Sequence, residues 1–543
     1  MHPDNHDRPA ASTTPADWSR DATQAAATLV TEITRNPWGT MSPSVYETAR
    51  LARIAPWLDG HGARCAFLLR TQHLNGWWGH PDGYDLVPTL SATEALLNEL
   101  DRPATDSSRP PVDELARAAF KGLRVLANRL DDEFRGPVPD TIGSELLIPW
   151  LVDTLNSHLA AADGRLGACV MKLPQGVERH ALARLRTAVA AGRPLPEKVW
   201  HTLEALGDQA SEAPGVRLVA SAVGSSPAAT AAWLSRQAAR QDAPASLLAR
   251  AQDRWGGPVP GVISIAVFER AWVLSWLLDA GVPITVPPEL TSYLENNLGA
   301  TGAPAGPGLP TDSDDTAAVL HALALAGRPV SADSLWAFQG EGYFQCFLGE
   351  RTPSTSTNAH VLEALHAAAP SDEPPTEHNR RRAAACAIEH WLLAQQHGDG
   401  FWADKWHASP YYATMCCALA LARGQHAGVP SISDALARAG RWTLDTQRAD
   451  GSWGRWEGTV EETSYAVQTL LRTHPGDLPQ PVAQAVTQGC QYLMCNQDTR
   501  DGFVPLWHDK DLYAPGAVIR AARIAALYAA AVRWEPSTTL SAR

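Results

Sequence analysis

Three of the four residues in Asp312-Ser313-Asp314-Asp315 carry carboxyl groups. The run opens onto an apolar stretch, Ala317–Gly327, that Gly327 and Pro329 bring to a stop. At a helix start, Asp caps free backbone N–H groups and complements the positive end of the dipole. One Asp suffices for that task, and three repel one another. A calcium loop needs a ligand order that this run lacks. The remaining reading is a general acid. A carboxyl flanked by two carboxylates and shielded from water keeps its proton well above the ordinary value of about 3.9. It can then deliver that proton to a weak base at neutral pH. The dipole opposes this, so burial and a donor to the carboxyl are required. On the residues alone, cap and acid both stand.

The elements that must position such a group show as internal repeats. Trp391–Ala403, Trp442–Gly454 and Tyr492–Val504 share one pattern, in which an aromatic precedes a Gln by five residues and a Gly-aromatic turn follows. The Gln residues fall at positions 396, 447 and 497, and an upstream copy, Phe67–Gly79, carries Gln72. Each copy ends one helical stretch, turns through Asp-Gly or Asn-Gly, and leads into an Ala-rich helix. Gln and Trp are expected to act as staples, amide to helix-end carbonyl and ring against the preceding turn. Few segments alternate with period two. The chain reads as all-α, built of stacked helix pairs as in an α/α-barrel or α-solenoid, and as two helical domains of related build.

Composition excludes several function classes. The chain has 543 residues, 45% of them hydrophobic, with a net charge of −13 and 20 Trp against 5 Met. The acidic balance, without a basic run, excludes a nucleic-acid footprint. No apolar stretch is long enough to span a membrane. Eight cysteines without a CxxC pair read as reduced thiols of a cytoplasmic protein. Residues 1–17 read as a disordered tail without signal-peptide character.

The run Asp312–Ala317, together with the Gln-Asp-Gly-Trp repeats, resembles the class II terpene cyclases, which protonate a terminal alkene or epoxide through a DxDD motif. Met41–Arg50, Asp85–Asn98, Ile142–Val152, Trp200–Asp208 and Phe268–Ser275 are similar, in order, to further segments of plant diterpene cyclases. The resemblance implies two α/α-barrels, γ inserted into β, with the site between them. It implies a β domain of residues 18–59 and 273–543 and a γ domain of 60–272. It further implies a bicyclisation of geranylgeranyl diphosphate to a copalyl-type diphosphate, most readily of the ent series, with the diphosphate retained. Asp314 would be the proton donor, Asp312 and Asp315 its supports, and Asn358 its orienting donor. The terminal base in such enzymes is a water held by a His–Asn pair. The His falls on His201, while the Asn position is Gly261, which leaves half of the pair without a counterpart.

Carbocation chemistry needs a dry pocket with electron-rich faces. The rings expected to supply them are Trp336, Phe338, Tyr343, Phe344, Trp402, Tyr411, Tyr412 and Tyr465. Diphosphate binding is expected from Arg184 and Arg186, and Mg²⁺ binding from Asp131 and Asp132. The product would pass to a class I diterpene synthase. Competing readings are a squalene–hopene-type triterpene cyclase, a rearranged or hydroxylated labdane diphosphate synthase, a prenyltransferase β-subunit, for which no Zn²⁺ set assembles, and a helical-repeat scaffold without catalysis.

Overall fold

The computed structural model describes residues 14–534 apart from 104–107, 131–135, 137, 162–169, 236–241, 368, 425–429 and 497–501. Among the described residues the fold is helical throughout except for one antiparallel ribbon, Trp507–His508 with Leu512–Tyr513. None of those helices is long and apolar enough to cross a membrane. The first helix, Pro15–Arg35, starts in a capping box. The Thr14 hydroxyl accepts from Asp17 N, and the Asp17 carboxylate accepts from Thr14 N. Residues 14–17, expected in a disordered tail, are thus part of a capped helix, and residues 1–13 lie outside the described set.

The repeats act as staples, with the roles of Gln and Trp redistributed. Trp78, Trp402 and Trp453 donate from Nε1 to Leu68 O, Leu392 O and Thr443 O at 2.7–2.8 Å, so the indoles serve the helix-end carbonyls. The amides of Gln72, Gln396 and Gln447 each donate to the Gly of their own turn and to a carbonyl in the following outer helix, at Ala118, Ala435 and Ala485. Gln497 lies outside the described residues. The turn glycine is required at Gly400, where φ is +108° and a Cβ would lie 2.6 Å from Arg438 O. Each staple satisfies backbone groups that a buried helix end would leave orphaned.

Stapled pairs build two hydrophobic cores, one per α/α-barrel. The first runs from Trp18 to Met41 and again from Val262 to Ala531; the second runs from Tyr46 to Ala232. The helix Val45–Ile54 therefore packs into the second core through Tyr46, Ala49 and Ala52. The helix Ala266–Asp279 packs into the first through Val267, Phe268, Ala271, Trp272 and Leu274.

The ribbon joins the two cores through ions. Its turn carries Asp509, Lys510 and Asp511, all buried. Lys510 Nζ, fully buried, donates to Glu47 Oε1 at 2.5 Å, to Glu204 Oε1 at 2.8 Å and to Ser226 Oγ at 2.9 Å. Burial disfavours the ammonium, but Glu204, Glu47 and Asp509 outweigh it and hold its pKa above the usual lysine value. Asp511 accepts from Ser44 Oγ at 2.6 Å and from Tyr46 N at 2.9 Å, and burial pushes its carboxyl up to about 6. Removing one partner of a buried ion cluster leaves the others unpaired at a cost of about 3–5 kcal/mol. Lys510→Met is expected to lower the unfolding free energy by about that amount in urea titrations at pH 7. A loss within about 0.5 kcal/mol, the range of an exposed substitution, would show that these ions do not hold the cores together.

Candidate active site

The acidic run lies at the start of the helix Ser313–Leu325, and its three carboxyls divide the work. Asp312 is the N-cap: its Oδ1 accepts from Asp315 N at 2.8 Å. The capping task is thereby complete, and Asp314 and Asp315 are free of it. Asp312 and Asp315 are buried, and Asp315 Oδ1 has no partner among the described residues. Burial, and then the charge of Asp314, push Asp312 up to about 7. Burial, with Asp312 and Asp314 behind it, drives Asp315 well above the ordinary carboxyl value. A cluster so placed retains protons near neutrality, dipole notwithstanding.

Asp314 pairs with His360, not with Asn358. His360 Nδ1 lies 2.7 Å from Asp314 Oδ1. Burial lowers the imidazolium pKa, but the charge and hydrogen bond of Asp314 outweigh it and raise the value. Asn358 sits two residues earlier on the same helix, Thr355–His366, and turns elsewhere. Its Oδ1 accepts from Phe344 N at 2.8 Å, and its Nδ2 donates to Phe344 O at 3.0 Å and Ser354 O at 2.8 Å. Two residues along a helix is a rotation of roughly 200°, so the two side chains cannot serve the same target. The helix cap is Ser354.

All three carboxyls line a cavity of about 370 Å³ between the cores. That volume falls within the roughly 300–1,000 Å³ of small-molecule sites. Its aromatic walls are Phe268, Trp272, Phe347, Trp406, Trp507 and Tyr513. None of the eight rings expected from sequence is among the wall residues. Trp402 is a repeat staple, and Tyr343 stacks on Trp391. Tyr411 packs on Trp442, and Trp336 donates to Glu377. Phe338 and Phe344 are core. Tyr412 and Tyr465 lie behind the wall: Tyr412 OH accepts from Trp272 Nε1 at 3.2 Å, and Tyr465 OH donates to Glu461 at 2.9 Å. Glu461 Oε1 also takes the Trp507 indole N–H at 2.6 Å, which fixes the plane of that ring. The wall rings were legible in part, since Phe268 and Trp272 lie in the quoted segment Phe268–Ser275. No spacing marks Trp507 or Tyr513, which the ribbon brings in.

His201 lines the same cavity, with Nδ1 2.7 Å from Gly224 O and Nε2 2.9 Å from Asp509 Oδ1. Where the cavity meets solvent it carries charges. Arg351 Nη2 lies 4.0 Å from Asp140 Oδ1 and 3.8 Å from Glu145 Oε1. The exposed Lys198 lines the rim beside them. Lys405 is neutralised by Glu350. Arg184 and Arg186, expected to bind diphosphate, are not among the lining residues. They lie on His180–Ala190, a helix packed on the second core, where Arg186 donates to Ala205 O. Asp131 and Asp132 lie outside the described residues.

Residues 347–518 match the family model of the squalene-hopene cyclase C-terminal domain. The ent-copalyl diphosphate synthase of Streptomyces sp. (strain KO-3988) is 46% identical, over 92% of this chain and 94% of that protein. The labda-7,13-dienyl diphosphate synthase of Streptomyces clavuligerus is 40% identical, over 94% and 93%. Among solved structures, the ent-copalyl diphosphate synthase from Streptomyces platensis matches with a TM-score of 0.87 at 48% identity, covering 94% of this chain and 99% of that one.

Asp312 keeps its proton to about pH 7 in the fold, against an ordinary carboxyl value of 3.8. Between those values the native state binds the extra proton, so this group makes stability fall as pH rises. Asp312→Asn keeps the cap and removes the titration. It is expected to recover on the order of 2–4 kcal/mol of the decline between pH 4 and pH 8 in urea titrations. An unchanged pH slope would remove Asp312 as the source.

Proposed function

The chain belongs to the class II diterpene cyclases, and we propose that it protonates the terminal alkene of geranylgeranyl diphosphate and closes two rings to a copalyl-type diphosphate. The observation that carries this reading is the carboxyl triad, Asp312 and Asp315 buried and Asp314 between them, opening into an aromatic cavity, with His360 on its middle member.

With His360 Nδ1 as the donor to Asp314 Oδ1, the transferable proton of the acid sits on Oδ2. That proton goes to the terminal alkene carbon, whose π pair forms the new C–H bond and leaves a tertiary cation. Two further alkenes attack in turn and close the decalin. Phe268, Trp272 and Trp507 face this charge with aromatic quadrupoles, each worth about 0.5–2 kcal/mol, and none of them is a nucleophile. The apolar walls exclude the water that would trap the cation.

The charged rim supports a diphosphate headgroup over a hydrocarbon such as squalene. Among the described lining residues, Lys198 and Arg351 are the cations available to it. Mg²⁺ fits the same rim, since Asp140 and Glu145 offer hard carboxylate oxygens converging on one guanidinium. Mg²⁺ commonly takes one or two carboxylates together with substrate phosphates, and bound there it would neutralise diphosphate charge. Retention of the diphosphate leaves a product that a class I synthase can ionise, and a hand-off to such an enzyme in the cytoplasm completes the reading. The names of relatives favour the ent-copalyl product, while the labda-7,13-dienyl enzyme differs in where the last proton leaves.

Incubation with geranylgeranyl diphosphate and Mg²⁺, followed by phosphatase and chiral gas chromatography–mass spectrometry, is expected to give a bicyclic C20 alcohol. Asp314→Asn is expected to lower turnover at least about 100-fold, the lower range for a general acid, with unchanged circular dichroism. Recovery of geranylgeraniol alone from the unmutated protein would overturn the diterpene reading. Turnover by Asp314→Asn at the unmutated rate would remove Asp314 as the acid.

A further inference from the structure

The proton that ends the reaction needs an acceptor on the cavity wall, and His201 cannot be that acceptor. Its Nδ1 faces Gly224 O at 2.7 Å, and a carbonyl only accepts, so Nδ1 carries a proton. Its Nε2 is covered at 2.9 Å by Asp509 Oδ1. Both ring nitrogens are therefore occupied by protein. The carboxylate that covers Nε2 is different: Asp509 lines the cavity, is 1% exposed, and its Oδ2 has no hydrogen-bond partner among the described residues.

The surroundings of Asp509 are specific to its presence. A Cβ built on Gly261 would lie 2.0 Å from Asp509 Oδ2 and 3.1 Å from its Cγ. Position 261 has no side chain because the carboxylate fills that space. Asp509 reaches it from the ribbon turn, and its own carbonyl is tied to Ile142 N at 3.0 Å. His201 pairs with it, and its charge helps to stabilise the ammonium of the neighbouring Lys510. An acid site and a second, charge-balanced carboxylate thus share one apolar chamber.

We propose that Asp509 is the catalytic base of the final step, with His201 as its positioning residue. The inference rests on the class II reading above. The bicyclic tertiary cation loses a proton from a carbon next to the charged centre. The C–H pair becomes the new C=C bond, and the proton forms an O–H bond with the Asp509 carboxylate. Asp314 ends the turnover as carboxylate and Asp509 as acid, and the proton returns between them through solvent admitted when product leaves. Protons beside a carbocation are acidic enough for a carboxylate to accept them. Position and dryness decide where the proton goes.

The test compares Asp509→Asn, Asp509→Ala and Gly261→Ala with the unmutated protein by product profile and substrate consumption. Gly261→Ala keeps the carboxylate and displaces it. All three are expected to lower the share of the unmutated protein's main product at least tenfold. The consumed substrate should appear as water-captured or differently deprotonated bicycles, with total consumption falling less than that product. An unchanged single product from Asp509→Asn would overturn the assignment. So would a proportional loss of all products together with a lowered melting temperature, which is the mark of a structural role. Absence of any bicycle from the unmutated protein would instead overturn the class II reading itself.

Discussion

A fully buried ammonium holds the molecule's two halves in register. Lys510 belongs to a ribbon of the first core, and the carboxylates that neutralise it, Glu47 and Glu204, sit on helices of the second. In such surroundings neither sign tolerates the absence of the other, because an unpaired charge in a low-dielectric interior costs several kcal/mol. Hydrophobic contact between the cores would permit sliding; an ion with three fixed acceptors does not. The position of the cavity walls follows, since Trp507, Asp509 and Tyr513 ride on the same ribbon while His201 and Ile142 belong to the opposite side.

The acid end of the cavity illustrates how a helix terminus can host a group that its own dipole disfavours. Asp312 meets the orphan N–H of Asp315 and so saturates the capping demand. Burial then acts on carboxyls that have no structural duty to be ionised. His360, two residues beyond the expected Asn358, is held edge-on to Trp272 at 5.1 Å between ring centroids. A wall ring and the acid's partner are thus positioned by the same contact.

Much of this was legible in residue order. The repeats announced the helix pairs, and the staple residues were the right ones although indole and amide exchanged targets. The acidic run and the family resemblance indicated the chemistry, and the open cap-or-acid question dissolved because different members of the run do each. The aromatic wall was not legible. A Trp or Tyr after the acidic run is as often a staple or core ring as a wall ring, and the sequence carries no sign of which way it faces. Asp509 was invisible for a related reason: its partners, His201 and Gly261, lie hundreds of positions upstream. Gly261 stands where the resemblance implies an Asn, but nothing local says that a carboxylate from far downstream fills the space.

The route of the chain between the ribbon and its partners also governs when the cavity can exist during synthesis. The second core closes with residues up to about Ala232, so it can condense while the ribosome is still far from the end. The first core must wait, because Pro15–Arg35 packs against Gly516–Trp534, the last described helix. The carboxyl triad emerges long before Trp507 and Asp509 arrive to roof it. A nascent chain therefore carries an acid without a chamber, and contacts spanning more than 460 residues make that closure a late and slow event. The acid and the rings of the ribbon that face it therefore meet only after the ribbon has been made.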